Sequence, residues 1–121
     1  MPGYSDNGKH IMLDHLAGEI TDISLHSDDP GSTGANEITG GDPAYARVSV
    51  TGADWDAAAA GAVELNNDKE FDGPADQSVS HFGIWAGTDF LGGGGLTGDL
   101  AFNAEGDYVL QAGTSFDLNA A

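Results

Sequence analysis

Asp68, Glu70 and Asp72, followed by Gly73, set three carboxylates at the alternating spacing that opens a calcium loop. Such a loop is closed by a bidentate Glu at its twelfth position, where this chain has Val79. The three are therefore candidate cation ligands that lack a closing partner. Histidines stand at 10, 15, 26 and 81, and none pair at the i, i+4 spacing of a helical zinc site. They read as solvated or hydrogen-bonded side chains. The serines form no G-x-S-x-G elbow, so acyl transfer has no support. Gly92 to Gly95 lack the Lys and Ser/Thr of a phosphate-binding loop and read as a turn that breaks the chain. No catalytic residue and no cofactor is expected, and an enzyme is the lesser reading.

Trp55 and Trp85 would offer a stacking platform for a sugar if exposed, but large aromatics more often fill cores or interfaces. Trp85 is the surer core member. Arg47, a lone cation among many acids, is expected to pair with a carboxylate as a structural ion pair.

The charge balance is the most unusual total. Among 121 residues, 20 are acidic and only Lys9, Lys69 and Arg47 are basic, a formal net charge of -17. Repulsion across such a surface is tolerable where salt shortens the Debye length to about 3 Å, near molar concentration. A high-salt habitat is the expectation. Three cations neutralise few phosphates, so neither nucleic acid nor an anionic membrane surface is an expected partner. Cysteine is absent, which leaves packing, hydrogen bonds and association to hold the fold. There is no apolar run long enough to span a bilayer, and the first residues lack the pattern of a secretory signal. Synthesis and assembly in a cytoplasm are expected.

These side chains need elements to position them. Residues 1–8 read as an N-terminal arm, and residues 9–121 as one β-rich domain. Ile11, Met12, Leu13, Leu16 and Ala17 predict a short helix over 9–17 with Gly18 as its stop. From there the period is two. Ile23 and Leu25 alternate with Asp22, Ser24 and His26, and residues 45–50 form a second strand after an exposed loop. Trp55 is expected in a loop, Val63 and Leu65 in a strand, and Phe71 in a short one. Residues 79–86, apolar on both faces, predict the central strand of the core. Further strands are expected around 96–102, 108–112 and 114–118, with Gly113 joining the last two tightly. Seven or eight short strands with frequent turns predict an all-β fold, an antiparallel β-sandwich or jelly-roll-like single domain with one short N-terminal helix.

Leu25, His26, Asp29, Pro30 and Gly31, then Gly34 to Glu37, Tyr45 to Arg47, His81 to Trp85 and Phe90 to Gly92 carry a resemblance across about two thirds of the chain. In wording and order they resemble a family of small virion proteins of tailed phages, often described as tail fibre or minor tail proteins. The resemblance implies a β-rich structural protein of a virus particle and brings no catalytic residues. The chain departs from the usual phage version in its acidity, which points to a virus of a brine organism.

Within the particle two placements compete. A protein of this size without internal repeats suits a capsid decoration or cement role that stabilises the head, bridging copies of the major capsid protein. The alternative is a tail or tail-fibre component that contacts the host surface. A homo-oligomer is expected, with a trimer as the guess. Interface candidates are Pro2 and Tyr4 in the arm, Asp29, Pro30 and Asn36 in the loop, and Arg47 and Trp55. The arm over 2–9 and the loop over 27–41 are expected to touch neighbours, because exposed irregular segments are otherwise hard to order.

Overall fold

The computed structural model describes residues 4–117. Its one α-helix, α1 (Asp6–Glu19), begins where the Ser5 hydroxyl accepts the Gly8 N–H at 3.0 Å, an N-cap that satisfies one otherwise orphaned donor. The helix thus starts inside the segment read as an arm, and Gly18 is its penultimate residue rather than its stop. Leu13 and Ala17 pack inward, joined by Ile20 just past the last turn. Ile11, expected on the core face, is 64% exposed.

Eight strands follow among the described residues: β1 (Asp22–His26), β2 (Val48–Ser49), β3 (Ala62–Glu64), β4 (Lys69–Asp72), β5 (His81–Ala86), β6 (Asp89–Gly95), β7 (Asp107–Leu110) and β8 (Ser115–Asp117). All pairing between them is antiparallel. The main sheet runs β2-β1-β5-β6, and two ribbons, β3-β8 and β4-β7, complete the fold. The protein is an all-β single domain with one N-terminal helix. As the apolar run predicts, β5 is central in the main sheet. Its Phe82 faces Leu25 and its Ile84 faces Ile23 across β1, and all four side chains are buried. Helix α1 and both ribbons close over this face: Val63 pairs with Phe116, Phe71 pairs with Tyr108, and all four enter one continuous core.

Four expectations give way here. Gly92 to Gly95 do not break the chain but form most of β6, paired with β5. At the middle two glycines a side chain is crowded. A Cβ on Gly93 would collide with the Phe82 carbonyl oxygen and lie 3.1 Å from Pro30 Cγ, and one on Gly94 would lie 3.1 Å from the Phe82 ring. The second strand shortens to two residues, and 96–102 forms none, holding only a single bridge between Ser78 and Ala101. β7 and β8, joined through Gly113, do not pair with each other, because their apolar residues find partners on β4 and β3 instead. Leu118, placed in the last strand, lies outside the described residues.

Candidate interaction face

Ser24 and His26 lie on the face of β1 opposite Ile23 and Leu25, and both are fully buried. They are covered by the loop over residues 27–41, which folds back across β5 and β6. Antiparallel bridging of His26 with Glu37 closes the base of the loop, and Ser27 N–H donates to the Asn36 carbonyl at 2.9 Å. Inside it, the Pro30 carbonyl accepts the N–H groups of Gly34 and Ala35, both at 3.0 Å, and Asn36 Nδ2 donates to the Asp29 carbonyl at 3.1 Å. Asp29 Oδ1 accepts the Gly31 N–H at 2.9 Å, and Pro30 is buried above Gly93. The loop is therefore ordered by its own hydrogen bonds. Contact with neighbours is not needed to hold it.

Beneath the loop runs a buried polar chain. Trp85 Nε1–H donates to Ser24 Oγ at 2.7 Å, and Ser24 Oγ lies 2.6 Å from His26 Nε2. His26 Nδ1 faces the Ala35 carbonyl at 2.7 Å, an atom that only accepts, so Nδ1 carries the proton and Nε2 accepts the Ser24 hydroxyl. Burial pushes the His26 pKa below its ordinary value, against the Ala35 carbonyl and the Glu37 charge, which favour the charged form. A serine beside a histidine suggests a nucleophile and its base, but Ser24 is sealed off and both ring nitrogens are engaged. The pair ties strand to loop.

A charged clamp sits beside it. Arg47 Nε donates to Glu37 Oε2 at 3.0 Å and Nη2 to Oε1 at 2.9 Å, the planar fork that guanidinium and carboxylate geometry favours. Tyr45 OH also donates to Glu37 Oε2 at 2.9 Å while accepting the Leu25 N–H at 2.9 Å. Burial acts to raise the Glu37 pKa, but the bonds from Arg47 and Tyr45 outweigh it and hold the carboxyl below its usual range. Burial pushes the Tyr45 hydroxyl far above the ordinary tyrosine range. The same guanidinium lies 3.6 Å from the centre of the Trp85 ring, a cation–π contact, and Phe90 meets that ring edge-on at 5.1 Å.

Asp29, Pro30, Asn36 and Arg47, four of the interface candidates, thus belong to one face of the molecule. Asp29 and Asn36 are exposed there, Pro30 is buried and Arg47 is half-buried. Tyr4 lies elsewhere, 71% exposed ahead of α1. Pro2 lies outside the described residues. Trp55 is a core residue, packed edge-on against Phe116 at 5.1 Å with 6% of its surface exposed, so it offers no contact surface. Glu70 and Asp72 stand exposed on β4, on either side of the buried Phe71, and the Asp68 carboxylate accepts the Ala112 N–H at 2.8 Å. An extended strand does not curl carboxylates around an ion. Among the described residues no group of three or more acidic or histidine side chains is placed to hold a metal.

Residues missed by sequence reasoning are Ser24, His26 and Glu37 as the scaffold of this face. His26 and Glu37 stood out only among the residues that carry the family resemblance, which assigns them no role.

The profile of the family described as Podophage GP4 fiber I protein gp80 matches residues 7–113. The chain belongs to this family. As a member of the fibre family it is a virion structural protein, and the match takes in α1 from its second residue, the whole loop and every strand but β8. No curated protein and no solved structure matches the chain. The family favours the tail-fibre placement over decoration of the head. Among the described residues, no helix is long and apolar enough to cross a membrane.

Proposed function

We propose that this chain is a fibre component of a tailed virus particle, and that the face built by the loop over residues 27–41 makes its contact with a neighbouring virion protein or with the host surface. The observation that carries this reading is the fibre-family match from 7 to 113, which spans the whole loop. The preorganised loop supports it: contact residues on a loop held by its own bonds and by a clamp lose little freedom on binding. The role is structural, and the buried Ser24–His26 pair does no chemistry. Copy number per particle, measured by quantitative mass spectrometry against the major capsid protein, tests the placement. A few to a few tens of copies fits a fibre, whereas hundreds would return the protein to the head. Antibody labelling of intact particles viewed by electron microscopy locates it directly.

The charge of -17 also leads us to propose a high-salt working environment. Thermal stability is expected to rise steadily between about 0.1 M and about 2 M potassium chloride, as screening removes repulsion between carboxylates. A melting temperature indifferent to salt would contradict it.

A further inference from the structure

β6 is an outer strand of the main sheet, so one of its edges has no partner strand. Leu96 N–H donates to the Ser80 carbonyl at 2.9 Å, and bonding alternates along an antiparallel pair. Gly92 and Gly94 therefore turn their N–H and C=O groups toward β5, while Gly93 and Gly95 turn theirs outward. Both outward-turned glycines are exposed. Proteins ordinarily guard such an edge with charged side chains, proline or a covering segment, because it templates a further strand. The stretch over residues 92–95 carries no side chain of its own.

The fold accounts for three of these glycines and leaves one over. Gly92 has φ +157°, and Gly93 and Gly94 are crowded. Gly95 has neither constraint: a Cβ on it would meet nothing within 4 Å, and glycine is among the poorest strand formers. It pairs with His81, and the two help to line an open pocket of about 240 Å3 walled on its other side by Asp29, Pro30 and Gly31 of the loop. Paired residues share a face, so a side chain at 95 would enter that pocket. Glycine there keeps both pocket and edge accessible.

Charge identifies the occupant. Asp29 stands at the pocket and Asp89 at the start of β6, and of the three cations set against 20 acids, Arg47 and Lys69 are already paired. A second copy would meet like charge at this edge, whereas a strand carrying Lys or Arg would meet opposite charge. The pocket lining has no Trp, Tyr or Phe against which a sugar ring would stack.

We propose that β6 takes up an extended, cationic segment of a neighbouring virion protein as an added strand. Gly93 and Gly95 supply the backbone bonds, and a Lys or Arg of the incoming segment enters the pocket beside Asp29. This rests on the reading of the loop face as a contact surface and chooses a peptide as its partner.

Overlapping peptides of about twelve residues, covering the other structural proteins of the purified particle, are presented to the full chain, and those that bind are titrated by fluorescence anisotropy. Segments with Lys or Arg at alternate positions are expected, and their binding should slow amide hydrogen exchange at Gly93 and Gly95. Gly95→Pro removes an outward N–H and no bond to β5, so affinity is expected to fall about tenfold or more at an unchanged melting temperature. Gly95→Val fills the pocket with a better strand former and is expected to weaken binding likewise without loss of stability. Asp29→Asn keeps an acceptor for the Gly31 N–H and is expected to weaken binding about threefold, more at low salt. No peptide bound, bound peptides lacking Lys and Arg, affinity indifferent to both Gly95 variants, or glycans bound through the same pocket would each overturn the proposal. Copy number per particle reads the fibre placement separately, so a blank peptide array from a low-copy protein sinks the strand addition and leaves the fibre.

Discussion

The two tryptophans are equally hidden, each 6% exposed, and are used in different ways. Trp85 is tied down at every edge: its N–H bonds Ser24, Arg47 lies over its face, and Phe90 abuts it. Trp55 fills space against Phe116, and its Nε1 has no hydrogen-bond partner among the described residues. Burial alone does not distinguish a residue that builds an exposed face from one that fills a core. The polar partners do.

The largest expected effect comes from crowding the tied-down end. Gly34 has φ +79°, and a Cβ placed on it would come within 2.6 Å of the Trp85 ring. Gly34→Val should cost about 3 kcal/mol or more in chemical denaturation, by strain and displacement of the ring. The contrast between the tryptophans is sharpened by one substitution made twice. Trp85→Phe should cost about 2 kcal/mol, because it leaves Ser24 without its donor and Arg47 without its indole face. Trp55→Phe should stay within about 1 kcal/mol, since the N–H it removes bonds nothing. Equal losses at the two sites would break the comparison.

Arg47→Ala should cost about 2 kcal/mol, leaving Glu37 with Tyr45 as its remaining side-chain donor. Its clearest readout is faster hydrogen exchange in the loop over residues 27–41, with the β4-β7 ribbon unchanged. Fibre-contact assays should weaken with it.

The smallest effect is in pH. His26 has a folded pKa below its ordinary 6.5, so the unfolded chain takes up a proton first. The stability that neutral His26 contributes is complete above that value and declines as pH falls from about 6.5 toward the lower folded pKa. Glu37 and Asp54, both held below their ordinary values, add a second decline at more acidic pH. His26→Asn should flatten the first decline and leave the second, as thermal melts across the range would show.

Much of the fold was legible because alternation reports a strand whose two faces differ. β1 and β3 announce themselves in this way, β5 does so as a run apolar on both faces, and the all-β class follows from counting such runs. Ser24 and His26 stand at the polar positions of an alternating strand, and alternation does not show that the loop directly after the strand turns back, with Ala35 nine residues on, to cover them. β6 was invisible because four glycines carry no periodicity, and what makes them a strand is their pairing with β5, with little room for a side chain at Gly93 and Gly94. The pairing of Arg47 with a carboxylate was expected from its isolation among acids, but not which carboxylate.

By itself the sequence determined the β-rich class, the central place of β5, the acidic surface and the kinship with phage fibre proteins, because composition, local period and word order need no partner to be read. Tertiary structure alone decided that β7 and β8 part to pair with β4 and β3, that Trp55 is core and Trp85 a hub, and that Asp29, Asn36 and Arg47 share a face. Those outcomes depend on which distant groups meet. Burial and hydrogen-bond partnership are properties of pairs, and a residue's own type does not carry them.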